Sequence, residues 1–129
     1  MVTVMNSADL IQQTIDTMLT AKRLSPEVNA QVIEDALIGS PEAKRAWPLS
    51  TSQEDLSEVV GQIKVPTLII AGELDKVDPA SELKSELLPR IPHAEMKIIP
   101  ATGHLSPLES PTEVAELITY FVEKNSWAR

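Results

Sequence analysis

The chain of 129 residues carries 19 Asp and Glu against 11 Lys and Arg, a formal net charge of -8, with 43% hydrophobic residues and no cysteine. That length and apolar content fit one domain with a modest core, and the acidic balance disfavours binding to phosphate backbones and anionic membrane surfaces, which select Lys and Arg clusters, so neither nucleic acid nor membrane is expected as a partner. Without cysteine there is no disulfide, thiolate nucleophile or cysteine-ligated metal site, and two histidines alone give no basis for expecting a metal or a cofactor.

Residues 1–6 lack the basic start and long apolar run of a signal peptide, and no stretch approaches about 18 consecutive apolar residues, so a cytoplasmic protein is expected. The first half then reads as helices punctuated by Ser-Pro pairs, in which Ser caps exposed amides and Pro at the first helical position loses nothing. Leu10, Ile11, Ile15, Met18 and Leu19 recur at helical spacing behind the candidate cap Ser7. A second helix is predicted from Ser25-Pro26, burying Val28, Val32, Ile33 and Leu37 and stopping at Gly39 in a left-handed conformation. A third starts at Ser40-Pro41 and is expected to end near Trp47, because Pro48 cannot continue it. The polar stretch 49–53 leads to a short amphipathic turn of helix at Leu56, Val59 and Val60.

The pattern changes at Val65-Pro66. Thr67-Leu68-Ile69-Ile70-Ala71-Gly72 is continuously apolar rather than alternating, the mark of a strand covered on both faces. A helix from about Pro79 to Leu88 follows, then a second strand over residues 95–100. The last helix opens at Ser110-Pro111-Thr112-Glu113, which reads as a capping box, and carries the stripe Val114, Leu117, Ile118, Phe121 and Val122. Strand, helix, strand, helix predicts a right-handed crossover and a parallel pair.

In parallel α/β sheets, reactive side chains collect just beyond the carboxyl ends of strands. Asp75 follows the first strand and His104 the second. A carboxylate that holds one ring N–H leaves the other imidazole nitrogen free as a general base. Val65-Pro66-Thr67-Leu68-Ile69-Ile70-Ala71-Gly72-Glu73-Leu74-Asp75, followed 29 residues later by Gly103-His104 and then Leu108-Glu109-Ser110-Pro111, resembles the C-terminal end of the α/β-hydrolase family. The resemblance covers residues 63–124. It implies a partial α/β-hydrolase fold: two parallel strands with covering helices over 63–129, preceded by an all-helical cap-like segment over 1–62. It also implies Asp75 as triad acid and His104 as triad base. In that family the pair serves a nucleophile at a strand-to-helix elbow, usually Gly-x-Ser-x-Gly, acting on esters, lactones and related small molecules.

The glycines Gly39, Gly61, Gly72 and Gly103 bracket no Ser, Asp or Cys at the elbow spacing. The nucleophile-bearing half and its oxyanion loop are therefore expected to be missing, and the chain alone to be inactive. Other candidates have simpler readings. Asp75 can close its own turn, and Asp78, before Pro79, reads as a helix cap. His93 reads as a solvated turn residue, and Glu109 as a surface carboxylate or an anchor for its loop. Ser106 lacks the glycines a nucleophile elbow needs, and Trp47 and Trp127 read as packing or terminal residues. Two strands leave an open sheet edge, which predicts self-association or pairing with a separate N-terminal half. A small-molecule substrate is expected only once the fold is so completed. The alternative is a non-catalytic binding or oligomerisation module derived from the fold.

Overall fold

The computed structural model describes residues 7–126, and the expectations for residues 1–6 and for Trp127 lie outside the described residues. Helix α1 (Ala8–Thr14) starts where Ser7 Oγ accepts the Leu10 amide at 3.2 Å, and it continues as a wider π turn over Ile15–Leu19. Helices α2 (Pro26–Ile38) and α3 (Pro41–Leu49) both start at Ser-Pro. Ser25 Oγ accepts the Val28 amide at 3.3 Å and Ser40 Oγ the Ala43 amide at 3.1 Å. Ile11, Ile15 and Leu24 form a buried centre, against which Leu19, Val28, Val32 and Ile33 pack. Gln12 and Asn29 join α1 to α2 by two reciprocal hydrogen bonds between their side-chain amides, at 2.6 and 3.3 Å.

Several local expectations are corrected. Gly39 is extended (φ -51°, ψ 142°) rather than left-handed, because Ser40 caps the next helix at once. Helix α3 runs through Pro48 to Leu49, since a proline in the last turn costs a single backbone bond. Trp47 is 64% exposed and does not pack, and Leu37 is exposed as well. The short turn of helix expected at Leu56, Val59 and Val60 forms, with the Leu56 carbonyl accepting the Val59 and Val60 amides before a 3₁₀ turn over Val60–Gln62, but Leu56 and Val59 are exposed rather than packed.

Strands β1 (Leu68–Gly72) and β2 (Glu95–Ile99) pair in parallel, in register from Leu68 opposite Glu95 to Gly72 opposite Ile99. Ile69, Ala71 and Ile99 are buried. Between the strands, α4 (Ala80–Glu82) widens into a π segment over Leu83–Leu87 and tightens into a 3₁₀ turn over Leu88–Arg90. The single helix expected there is thus built from three kinds of turn. After β2 come α5 (Ser106–Glu109) and α6 (Pro111–Lys124). Helix α6 buries Val114 and half-buries Leu117 and Phe121, while Ile118 and Val122 from the same stripe stay exposed. Its end is tied to β2, where Lys124 Nζ donates to the Glu95 carboxylate. No helix among the described residues is long and apolar enough to cross a membrane.

Candidate active site

The carboxyl ends of β1 and β2 are bonded to each other. The Glu73 amide donates to the Ile99 carbonyl at 2.9 Å and the Leu74 amide to the Thr102 carbonyl at 2.8 Å, while the Glu73 carboxylate accepts the Ala101 amide at 2.7 Å. Gly72 permits this approach. A Cβ there would lie 2.2 Å from the Gly103 carbonyl oxygen and 2.5 Å from that of Thr102, closer than any side-chain carbon can sit.

Asp75 and His104 are placed by these two ends. Asp75 Oδ1 accepts the Val77 and Asp78 amides at 2.8 and 2.9 Å, which closes the turn. Its Oδ2 lies 3.0 Å from His104 Nδ1. The turn reading and the imidazole-partner reading of Asp75 therefore describe the same side chain, one oxygen each. The Asp75 side chain is 8% exposed and that of His104 32%. Burial alone would raise the Asp75 carboxyl, but the bonds from His104, Asp78 and Val77 together outweigh it and hold the pKa below the ordinary value. An ionised carboxylate can only accept, so His104 Nδ1 carries the proton and Nε2 keeps a lone pair able to take another.

Asp78 is not the helix cap that was expected. The α4 start has no side-chain cap, and Asp78 Oδ2 lies 3.8 Å from His104 Nδ1. Asp75, Asp78 and His104 bring one ligand atom each within 4.8 Å of the others, so these are the side chains that could hold a divalent ion. Nothing in the sequence separates this Asp-Pro from a cap, since both place a carboxylate before a helix.

The His104 loop rests on the turn that follows α1. The Leu19 carbonyl accepts the His104 and Leu105 amides at 2.9 and 3.1 Å. Glu109 Oε1 accepts the Ala21, Lys22 and Gly103 amides at 2.6, 3.1 and 3.0 Å, which makes Glu109 the loop anchor rather than a surface carboxylate. Ser110, 1% exposed, does not cap α6. Its hydroxyl shares a proton with Thr102 Oγ1 at 2.7 Å and accepts from Lys22 Nζ at 2.6 Å, so a tertiary network has displaced the expected capping box. His93 is exposed, with Nε2 2.8 Å from the Val65 carbonyl. Ser106 opens α5 and makes no hydrogen bond to His104.

A parallel strand pair between helices, with the chain crossing from one strand to the next through a helical segment, is the arrangement found in the C-terminal part of the α/β-hydrolase fold. Solved structures of that class superpose on nearly the whole chain. A bromoperoxidase from Bacillus anthracis matches with a TM-score of 0.80 at 18% identity, over 90% of this chain and 44% of its own. A malate-bound thermophilic esterase from Thermogutta terrifontis matches with a TM-score of 0.75 at 27% identity, over 90% of this chain and 43% of its own. In sequence, 71 residues, 55% of this chain, are 31% identical to a proline iminopeptidase of Thermoplasma volcanium, of which they cover 23%. No protein-family model matches. The chain has the C-terminal part of the α/β-hydrolase fold, and it spans less than half the length of the proteins it resembles.

Proposed function

We propose that this chain supplies the acid, Asp75, and the base, His104, of a serine-type α/β-hydrolase. The nucleophile comes from residues beyond it, in a separate polypeptide or elsewhere in a longer one. The observation that carries this reading is the 3.0 Å contact between a nearly buried Asp75 Oδ2 and the part-exposed imidazole of His104. Asp75 fixes the tautomer in which Nε2 is unprotonated. Nε2 takes the nucleophile's proton as it attacks the carbonyl, Asp75 stabilises the imidazolium that forms, and the same proton passes to the leaving group. The lowered carboxyl pKa keeps Asp75 ionised at neutral pH, as that role requires. Residues 63–129 form the catalytic C-terminal unit on this reading, and residues 1–62 the cap that shapes a pocket for a small ester, lactone or related compound in the cytoplasm.

A second reading has the chain as a non-catalytic binding or oligomerisation module, and the exposed Ile98, Ile118, Tyr120 and Val122 favour it. Hydrolysis of a short-chain p-nitrophenyl ester separates the two. Pure chain is expected to show no turnover above background, and turnover that His104→Ala abolishes should emerge once a Gly-x-Ser-x-Gly partner is added. A specific oligomer whose stability ignores both Asp75→Asn and His104→Ala, with no gain of turnover from any such partner, would leave only the module.

A further inference from the structure

We infer that Glu109 is a positioning residue for His104, and that it does so by fastening the base loop to the turn between α1 and α2 rather than to the sheet. In its consequence for catalysis the inference rests on the reading of His104 as the base. In its geometry it stands on this chain alone.

Four observations converge on it. Oε1 of Glu109 accepts three backbone amides, two from the α1–α2 turn (Ala21, Lys22) and one from Gly103, which adjoins His104. The next residue along, His104, donates its own amide to the Leu19 carbonyl at 2.9 Å. Gly103 is packed so closely on the same turn that a Cβ would lie 2.8 Å from the Ala21 nitrogen and 3.1 Å from the Leu19 oxygen. Beneath them, Lys22 Nζ reaches Ser110, whose hydroxyl meets the fully buried Thr102. Residues 19–22 and 102–105 thus form one bonded unit with the Glu109 carboxylate at its centre.

The electrostatics suit that task. Three N–H dipoles converge on one carboxylate oxygen, and charge-assisted bonds of this kind are about twice as strong as neutral ones. The other oxygen, Oε2, is buried and has no partner among the described residues, so the carboxylate is committed to this single set of donors. With three amides on Oε1, the carboxylate fixes the geometry of the loop that carries His104. Here that geometry is the 3.0 Å approach of His104 Nδ1 to Asp75. His104 is then held from two sides, by Asp75 through the ring and by the α1–α2 turn through the backbone. Any displacement of the helical segment moves the base.

Ring-labelled NMR and amide hydrogen exchange on the purified chain test this without requiring turnover, so an inactive chain would not obscure the answer. In Glu109→Ala the His104 Nδ1–H signal is expected to broaden away. The Ala21, Lys22 and Gly103 amides should exchange about tenfold faster or more, while the amides of β1 and β2 keep their protection. Glu109→Gln, which retains one acceptor oxygen in place, should restore the Nδ1–H signal and most of the protection. Glu73→Gln is the control, because Glu73 holds Ala101 of the same loop from the strand side and should leave the His104 signal in place. If Glu109→Ala does not fold, Gly103→Ala takes its place, since its Cβ forces the loop off the turn with every carboxylate intact, and the same loss of signal is expected. An unchanged Nδ1–H signal in whichever of these variants folds, whatever happens to the amides, would overturn the inference and leave Asp75 as the sole positioner.

Discussion

Asp75 divides its two oxygens between two tasks, and that division sets how the protein should respond to acid. Its folded pKa lies below the unfolded value, because bonds from His104, Asp78 and Val77 outweigh the effect of burial. A carboxylate of this kind adds stability that is fully present above the unfolded pKa, about 3.9, and is lost as pH falls through the lower folded value. Urea midpoints measured against pH for the native chain and for Asp75→Asn should therefore differ at neutral pH and converge below about pH 4. Asp55 is also held low, by bonds from the Ser57 hydroxyl and amide, but it is present in both chains and drops out of the comparison. A gap that persists undiminished into strong acid would show that Asp75 acts through shape and not through charge. At this scale the sequence was informative where chemistry is local. Asp75 and His104 sit in short strings of residues beside strand ends, and those strings are read directly. Asp78 has the local pattern of a cap, and its position 3.8 Å from His104 Nδ1 depends on a residue distant in the chain, which no pattern within a few residues of Asp78 announces.

At the scale of elements, helix starts were legible and helix ends were not. Ser25 and Ser40 cap as expected because an N-cap needs only its own next few amides. Substituting either by Ala should cost about 1 kcal/mol, read from thermal or urea unfolding. Ser110 carries the same local signature and fails, since the buried Thr102 and the Lys22 ammonium compete for its hydroxyl and win. Gly39 and Pro48 depart from their commonest roles for a related reason: the neighbouring cap in one case and the helix terminus in the other make a different conformation cheap. The glycines sharpen the point. Gly72 reads in sequence as the last residue of a strand, yet its packing against the Thr102 and Gly103 carbonyls makes it the point where the two strand ends meet most closely. Because those obstructing atoms are backbone, Gly72→Ala should destabilise by about 3 kcal/mol. Gly61→Ala, where the nearest atom is the Arg90 carbonyl oxygen at 3.5 Å, should stay within about 0.5 kcal/mol of the native chain. Comparable losses at both positions would mean that the strand-end contact is soft.

At the scale of the molecule, the two-strand sheet was legible as parallel and incomplete, and the remaining question is what its surface does. Among the described residues, Ile98 on β2, and Ile118, Tyr120 and Val122 on α6, are each close to half exposed or more. Exposed apolar surface of this kind favours association, whereas a net charge of -8 opposes it between identical copies. Salt decides between the two terms, because it screens the repulsion and leaves the apolar attraction in place. Light scattering on the purified chain at micromolar concentration should give a mass above 14.1 kDa that rises as salt is added. In Ile118→Glu/Val122→Glu, where the apolar stripe of α6 becomes charged, the mass should return to the monomer value. A monomer at every salt concentration would mean that this surface is reserved for a different polypeptide. An oligomer indifferent to the α6 substitutions would place the contact on the open edge of β1 instead.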